Sequence, residues 1–273
     1  MKTEQWLQRV RVTAAEAFAP VSGFFAQKEV KAVVEWLKEP FYAIVIMFAL
    51  TTIIAQPFYV PSGSMQPTLA IGDAVFALKF PYGYSKFSIP FAWGKTPQGR
   101  LFGRLPQVGD VVVFRLPRDT NITYVKRLIG LPGDRIQMRG GRLWINGKEL
   151  PVRPEGMEDD EDRYGNDVMT QKFVETLPNG REHPIFKVRW NGPLDNTDVY
   201  VVPPGHVFMM GDNRDDSLDS RVSPDEDGVG YVPLGDLVGR AVIVIGSVDF
   251  KKADSILEWP FQFRFSRVLN RVH

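Results

Sequence analysis

The sequence predicts a mainly β chain, in which a single N-terminal transmembrane helix is followed by an extracytoplasmic antiparallel β domain with an inserted subdomain. Three observations predict it. No charged residue occurs between Phe41 and Gly72. Beyond the helix-forming part of that stretch, the apolar runs are short and rich in β-branched and aromatic residues. The 24 Gly and 21 Pro fall between those runs, which reads as many turns between strands and not as a helical bundle. At roughly 100 to 200 residues per domain, 273 residues make one large or two modest domains.

The N-terminal segment, 1–40, carries six basic residues (Lys2, Arg9, Arg11, Lys28, Lys31 and Lys38), while the far flank of the uncharged stretch has none until Lys79. Phe41 to Val60 is 20 residues, enough at about 1.5 Å each to cross about 30 Å of hydrocarbon, with Gln56 and Pro57 closing the helix. A cleaved signal sequence has a short basic leader and a small-residue cleavage site, whereas here about 39 residues of mixed charge precede the stretch and Pro57 sits where cleavage after Ala55 would be awkward. The positive-inside rule therefore puts residues 1–40 in the cytoplasm, the anchor at 41–60 and the rest outside. Val30, Val33, Val34 and Leu37 recur at helical spacing, so Lys28 to Glu39 is either a surface amphipathic helix or an extension of the span.

Outside the membrane, strands are expected at 74–79, 110–114, 124–129, 143–146, 199–202, 207–210 and 240–245, in a domain covering 61–250. Gly140-Gly141 and Asn146-Gly147 flank Leu143 to Ile145, a hairpin pattern. Residues 80–107 are rich in aromatics and glycine, and read as an extended hairpin or a loop. An insertion at about 150–200 opens on the acidic run Glu158 to Asp162, read as a solvated loop, and is expected to hold no catalytic residue. Residues 251–273 mix Phe261, Phe263 and Phe265 with Arg264, Arg267 and Arg271, and read as a membrane-surface tail or as a strand.

Composition removes several chemistries. The net charge of +1 offers no excess of cations for a nucleic-acid backbone. With no Cys there is no disulfide, thiolate metal site or cysteine nucleophile. Only His183, His206 and His273 are available to a histidine triad or a metal site, so neither cofactor nor metal is expected.

Three segments carry the remaining chemistry. Pro61-Ser-Gly-Ser-Met-Gln-Pro-Thr-Leu69 is a proline-bracketed turn with hydroxyls at Ser62 and Ser64. In Tyr124-Val-Lys-Arg-Leu-Ile-Gly-Leu-Pro-Gly-Asp134, alternation puts Tyr124, Lys126 and Leu128 on one face of a strand and Val125, Arg127 and Ile129 on the other. A lysine there either snorkels to water or is desolvated into a neutral base. Gly211-Asp-Asn-Arg-Asp-Asp-Ser-Leu-Asp-Ser-Arg221 places acidic residues at some calcium-loop positions, but Ser220 stands where that loop needs Gly and the flanks read as strands. His206 lies near this segment as a rival base, at the start of a strand after Pro203-Pro204-Gly205.

In this order, and with Gly72-Asp73 and Gly109-Asp-Val-Val-Val-Phe114 between them, the segments resemble the bacterial type I signal peptidases from the anchor to about Ser247. The resemblance implies a Ser-Lys dyad in an extracytoplasmic β catalytic domain, with Ser64 as nucleophile and Lys126 as general base. It further implies that Ser62 completes an oxyanion hole with the Ser64 N–H, that Ser217 orients the lysine amine, and that Asp219 with Arg221 supports the loop. His206 is given no role. By motif position Phe58, Val60, Met65, Leu69 and Val125 would line the substrate pockets.

The implied partners are exported preproteins whose signal segment ends in an Ala-x-Ala type site, membrane lipid and the protein-translocation machinery. The implied location is the bacterial inner membrane, with the site on its periplasmic face. A peptidase dedicated to one pilin-like or conjugation substrate fits the same residues. A β domain that binds exported proteins without cutting them has no need of Ser62, Ser64 and Lys126 together, and a metal hydrolase lacks ligand spacing.

Overall fold

The computed structural model describes residues 28–88, 100–161, 167–249 and 261–273. Its contacts divide the chain into two units, 1–49 and 50–273. Helix α1, Lys28–Ile53, joins the surface-helix and span segments into one element, with Pro40 inside it. Its apolar side chains are outward all round: Trp36 is 73% exposed and Ile44 67%.

The expected 41–60 helix is shorter than its sequence suggests. Ala55–Tyr59 is strand β1, paired antiparallel with β2, Asp73–Leu78, in the register Ala55↔Leu78 to Tyr59↔Ala74. Pro57 lacks an N–H and is tolerated because β1 is an edge strand. The uncharged part of α1, Phe41–Ile53, is thirteen residues, about 20 Å at the helical rise. Among the described residues, no helix is long and apolar enough to cross a membrane.

The strands that follow are β3 (Val111–Leu116), β4 (Asp119–Gly130), β5 (Arg135–Arg139), β6 (Arg142–Ile145), β7 (Lys148–Glu149), β8 (Val152–Glu161) and β9 (Asp167–Thr176). After them come β10 (Glu182–Lys187), β11 (Tyr200–Val201), β12 (His206–Met210), β13 (Val232–Pro233) and β14 (Leu237–Ser247). They form an antiparallel seven-stranded sheet in the order β1-β2-β14-β3-β4-β12-β13, a three-stranded sheet β10-β9-β8 and a four-stranded sheet β11-β5-β6-β7. The uninterrupted run Val111 to Phe114 reflects a central strand buried on both faces. Val111 and Val113 face a core of Val75, Ala241 and Met65, whereas Val112 and Phe114 face Leu128, Met209 and Leu237. A third cluster, with Ile136, Leu143 and Phe208, packs the four-stranded sheet against the large one.

Both turns of the β5-β6-β7 meander have positive φ at each central residue, Gly140 (52°) and Gly141 (75°), then Asn146 (53°) and Gly147 (79°), the geometry that two-residue hairpins favour. Of the aromatic excursion, Tyr84 bridges Leu101 antiparallel, and 89–99 lie outside the described residues. The acidic run, expected as a loop, is strand as far as Glu161. Lys172 of the neighbouring strand offsets its charge, with Nζ 3.0 Å from Glu158 and 3.5 Å from Glu155.

Two basic residues of the C-terminal segment, Arg264 and Arg267, are turned toward the protein. Arg267 donates to both carboxylate oxygens of buried Asp73, at 2.7 to 3.2 Å, and Arg264 donates to the Ile71 carbonyl and to Ser247 Oγ. Phe263 and Arg271 bridge to Val248 and Ile243, so this segment runs beside β14. Phe261 and Phe265 remain outward. Asp73 is fully buried and Arg267 about a quarter exposed. Arg267→Ala is expected to lower unfolding stability by about 1–3 kcal/mol, the usual cost of leaving a buried acceptor short of its donor, read from urea unfolding in detergent.

Candidate active site

Beyond β1, Pro61 and a single 3-10 turn, Gly63–Met65, present Ser64, and the Gln66–Pro67 peptide that follows is cis. The turn is held from below: Met65 and Leu69 are fully buried in the core, Leu69 N–H donates to the Met65 carbonyl, and Val60 and Gly72 exchange hydrogen bonds with neighbours on the returning chain. Ser64 is thereby half-buried while its neighbour Met65 is not accessible at all.

Lys126 reaches Ser64 from β4, across a separation of 62 residues. Pairing of Val112 with Lys126 and Val113 with Val125 sets its register, and the alternation expected from sequence holds: Val125 packs on one core and Tyr124 and Leu128 on the other. Lys126 is 3% exposed, and its Nζ donates to Ser64 Oγ. The amine also lies 5.6 Å from the centre of the Tyr124 ring. Burial is the main force on its proton affinity and pulls the pKa down to about 8; Asp219, Asp212 and Asp216 oppose that pull and Arg221 adds to it. Ser62 Oγ is 3.4 Å from Ser64 Oγ, on the exposed side of the turn.

The 211–221 loop closes the site. Gly211 has no Cβ for a specific reason: one placed there would lie 2.2 Å from Ser217 Oγ and 2.4 Å from the Ser64 carbonyl oxygen. Asn213 N–H donates to that same Ser64 carbonyl at 3.2 Å. The loop's carboxylates are committed to cations: Asp212 to Arg127 at 2.8 and 2.7 Å, Asp215 to Lys187 at 2.6 Å, and Asp219 to Arg221 at 2.9 and 2.8 Å. Burial alone would push the Asp212 carboxyl up, but Arg127 holds it well below the usual carboxylate range, and Arg221 does the same for Asp219. The buried Ser217 hydroxyl has no hydrogen-bond partner among the described residues, so the expected bond to Lys126 is not formed here. His206 Nδ1 is 2.9 Å from the Pro204 carbonyl oxygen, and His206 opens β12 paired with Pro233.

A cleft of about 520 Å³ opens over Ser64 and Lys126. The chain matches the family model described as signal peptidase, peptidase S26, over residues 33–246. The chain belongs to that family. A signal peptidase I of Rickettsia akari is 42% identical over 211 residues, 74% of this chain and 76% of that one. That of Rickettsia typhi is 41% identical over 250 residues, 85% and 91% of the two chains. A crystal structure of a signal peptidase I from Enterococcus faecalis aligns with 50% of this chain and 97% of that one, at 26% identity and a TM-score of 0.29. The protein is a serine peptidase of the bacterial type I signal peptidase group.

In this peptidase the cleft wall includes three of the five pocket residues read from sequence, Phe58, Val60 and Val125. Met65 and Leu69 are corrections: the 3-10 turn points Met65 inward, and Leu69, tied to it, joins the same core. The wall adds residues that sequence reasoning missed. Val75 and Val113 are the direct cross-strand partners of Phe58 and Val125, so knowledge of strand pairing alone would have found them. Asp216 and Leu218 close the cleft from the loop, with no local signal to mark them. Gly211→Ala is expected to lower kcat at least about 100-fold in folded enzyme, because the added methyl displaces the Ser64 main chain. Precursor-cleavage kinetics beside a thermal melt measure it.

Proposed function

We propose that this peptidase removes signal peptides from exported preproteins by a Ser64-Lys126 dyad, cutting after an Ala-x-Ala type site. The observation that carries the proposal is the hydrogen bond from a buried Lys126 amine, whose pKa burial lowers to about 8, to Ser64 Oγ. An ordinary lysine near 10.4 is protonated at neutral pH and cannot take a proton, whereas one near 8 is neutral often enough to serve as a general base.

As Ser64 Oγ bonds to the scissile carbonyl carbon, its proton passes to Lys126 Nζ. The oxygen of the tetrahedral intermediate is stabilised by the Ser62 hydroxyl and the Ser64 N–H. The lysine ammonium then protonates the departing amine, the C–N bond breaks, and the restored neutral amine activates water against the acyl-enzyme. When Ser64 turns to the substrate, Lys126 loses its acceptor, and the unpaired Ser217 hydroxyl is the adjacent group to take its place and orient the amine. Asp219 acts through Arg221, whose guanidinium also donates to the Arg214 carbonyl, and so supports the loop.

Residues 119–126 of β4 pair with β3 on one side, while β12 pairs with β4 only from 127 onward. That leaves a backbone edge beside the cleft on which an extended substrate can add as a strand. The branched walls at Val60, Val75, Val113 and Val125, with Phe58, leave room for small side chains and reject large ones.

Membrane attachment through 41–53, the apolar part of α1, is supported by its large exposed side chains, whereas 55–59 belong to the sheet. In this reading residues 1–40 are cytoplasmic and 61–250 carry the site on the periplasmic face of the inner membrane, with the 150–200 insertion alongside. Exported preproteins arrive there from the translocation machinery.

Cleavage of a precursor with an Ala-x-Ala junction by detergent-solubilised enzyme, with product termini read by mass spectrometry, tests this. Wild type is expected to cut after the small residue, and Ser64→Ala and Lys126→Ala to lose at least about 1,000-fold in rate. A folded Lys126→Ala enzyme with full activity removes the dyad.

A further inference from the structure

The buried charges next to the nucleophile extend past Arg127 and Asp212 into the inserted sheet. Asp212 Oδ1 lies 3.4 Å from Nδ1 of His183, and Nε2 on the other side of the ring lies 3.3 Å from Glu175 Oε2; both ring nitrogens are buried, and neither makes a hydrogen bond of regular geometry among the described residues. Glu175 and His183 are cross-strand partners in β9 and β10. Glu175 in turn accepts hydrogen bonds of 2.9 and 2.5 Å from Arg214. All five side chains are at most 2% exposed.

The main chain follows the same route. Phe186 of β10 donates its N–H to the Asp212 carbonyl and accepts from the Arg214 N–H, both at 3.0 Å. Between those two bonds Asn213 donates to the Ser64 carbonyl. The Asp212 carboxylate also accepts from the Thr68 hydroxyl at 2.5 Å, and Thr68 lies in the same turn segment as Ser64. Residues 212–214 are therefore held by the inserted sheet on one side and hold the nucleophile segment on the other.

We infer that His183, with Glu175 behind it, is a positioning residue for Ser64, and that the inserted sheet is part of the machinery that sets the nucleophile. The inference rests on Ser64 being the nucleophile. A rigid, fully buried ring wedged between the carboxylates of Glu175 and Asp212, with a nitrogen turned to each, sets their separation by its shape, which a flexible chain with one polar end does not. Asp212 then meets Thr68, Arg127 and His183 from three directions, and Glu175 meets Arg214 and His183. In so dry a network the removal of one partner shifts the others, since each remaining charge seeks new compensation. The shift reaches Ser64 through Thr68 and through the Asn213 N–H. A histidine that only filled space would accept either amide replacement equally.

The test compares His183→Asn with His183→Gln in the full chain, solubilised in detergent and acting on one precursor. The Asn amide nitrogen falls near the place of Nδ1 and keeps a polar group against Asp212; the Gln amide nitrogen falls near the place of Nε2 and lies against Glu175 instead. His183→Asn is expected to keep kcat within about threefold of wild type, and His183→Gln to lose about tenfold or more with KM little changed, the pattern of a misplaced nucleophile rather than lost substrate binding. Equal kcat in the two folded variants, whether both at the wild-type value or both reduced, overturns the inference. If His183→Gln does not fold, Glu175→Gln carries the test: kcat reduced at unchanged KM supports the inference, and wild-type kcat overturns it. Ser64→Ala is assayed alongside. Activity in Ser64→Ala removes the nucleophile reading itself, whereas an inactive Ser64→Ala beside His183→Gln at wild-type kcat removes only the role of His183.

Discussion

The burial of one amine governs this molecule. Lys126 is drawn from a strand interior to the floor of a cleft, where desolvation opposes its charge and leaves it able to accept a proton. The arrangement needs an apolar surround, which Tyr124, Leu128 and the paired Val112 supply, and it needs Ser64 within hydrogen-bond reach. Asp212 and Asp219 restrain the effect, since an uncompensated carboxylate nearby would pull the amine back to its charged form. Their pairing with Arg127 and Arg221 keeps that influence small. The ion pairs of the 211–221 loop thus fix the backbone around Gly211 beside Ser64.

Such a dense set of buried charges is not explained by stability. Buried ion pairs frequently do no better than apolar replacements of the same volume, so their use is better sought in specificity of placement. Here three of the pairs tie together segments distant in sequence: Arg127 to Asp212, Arg214 to Glu175 and Lys187 to Asp215. The network joins the large sheet, the inserted sheet and the Ser64 turn. The main-chain oxygen of His273, accepting from Arg127 at 2.7 Å, brings the C-terminal segment into the same construction.

Much of the site was legible because its signals are local. The proline-bracketed Ser62 to Thr68 turn, the face of Lys126 and the crowded 211–221 loop can each be read from neighbours in sequence. The central strands were legible for the same reason, β3 from its continuous Val run and β12 and β14 from theirs. What failed was non-local. Ala55–Tyr59 reads as the end of an apolar helix, and only pairing with β2 makes it a strand. Glu158 to Glu161 reads as a solvated loop until Lys172 lies across from it. Met65 and Leu69 have the composition of pocket residues, and their burial follows from the direction of a single turn. The buried contacts of Glu175 and His183 had no local mark, because Arg214 lies 39 residues from Glu175 and Asp212 lies 29 residues from His183. Arg264 and Arg267 resembled headgroup ligands for the same reason, their acceptors at Ile71 and Asp73 being nearly 200 residues distant.

The account therefore turns on the proton affinity of one side chain. The most direct measurement is the titration of Lys126 itself, by NMR of the carbon next to its amine in lysine-labelled enzyme, assigned by the signal lost in Lys126→Arg. A group lowered in the folded state is neutral above its pKa and charged below it, so the predicted midpoint is about 8, with the amine charging as pH falls through that value. In Ser64→Ala the midpoint should stay well below the ordinary lysine value, because burial and not the serine is its main cause. A Lys126 midpoint at the ordinary 10.5 would contradict the account, since the residue would then be an ammonium at neutral pH and no base for Ser64.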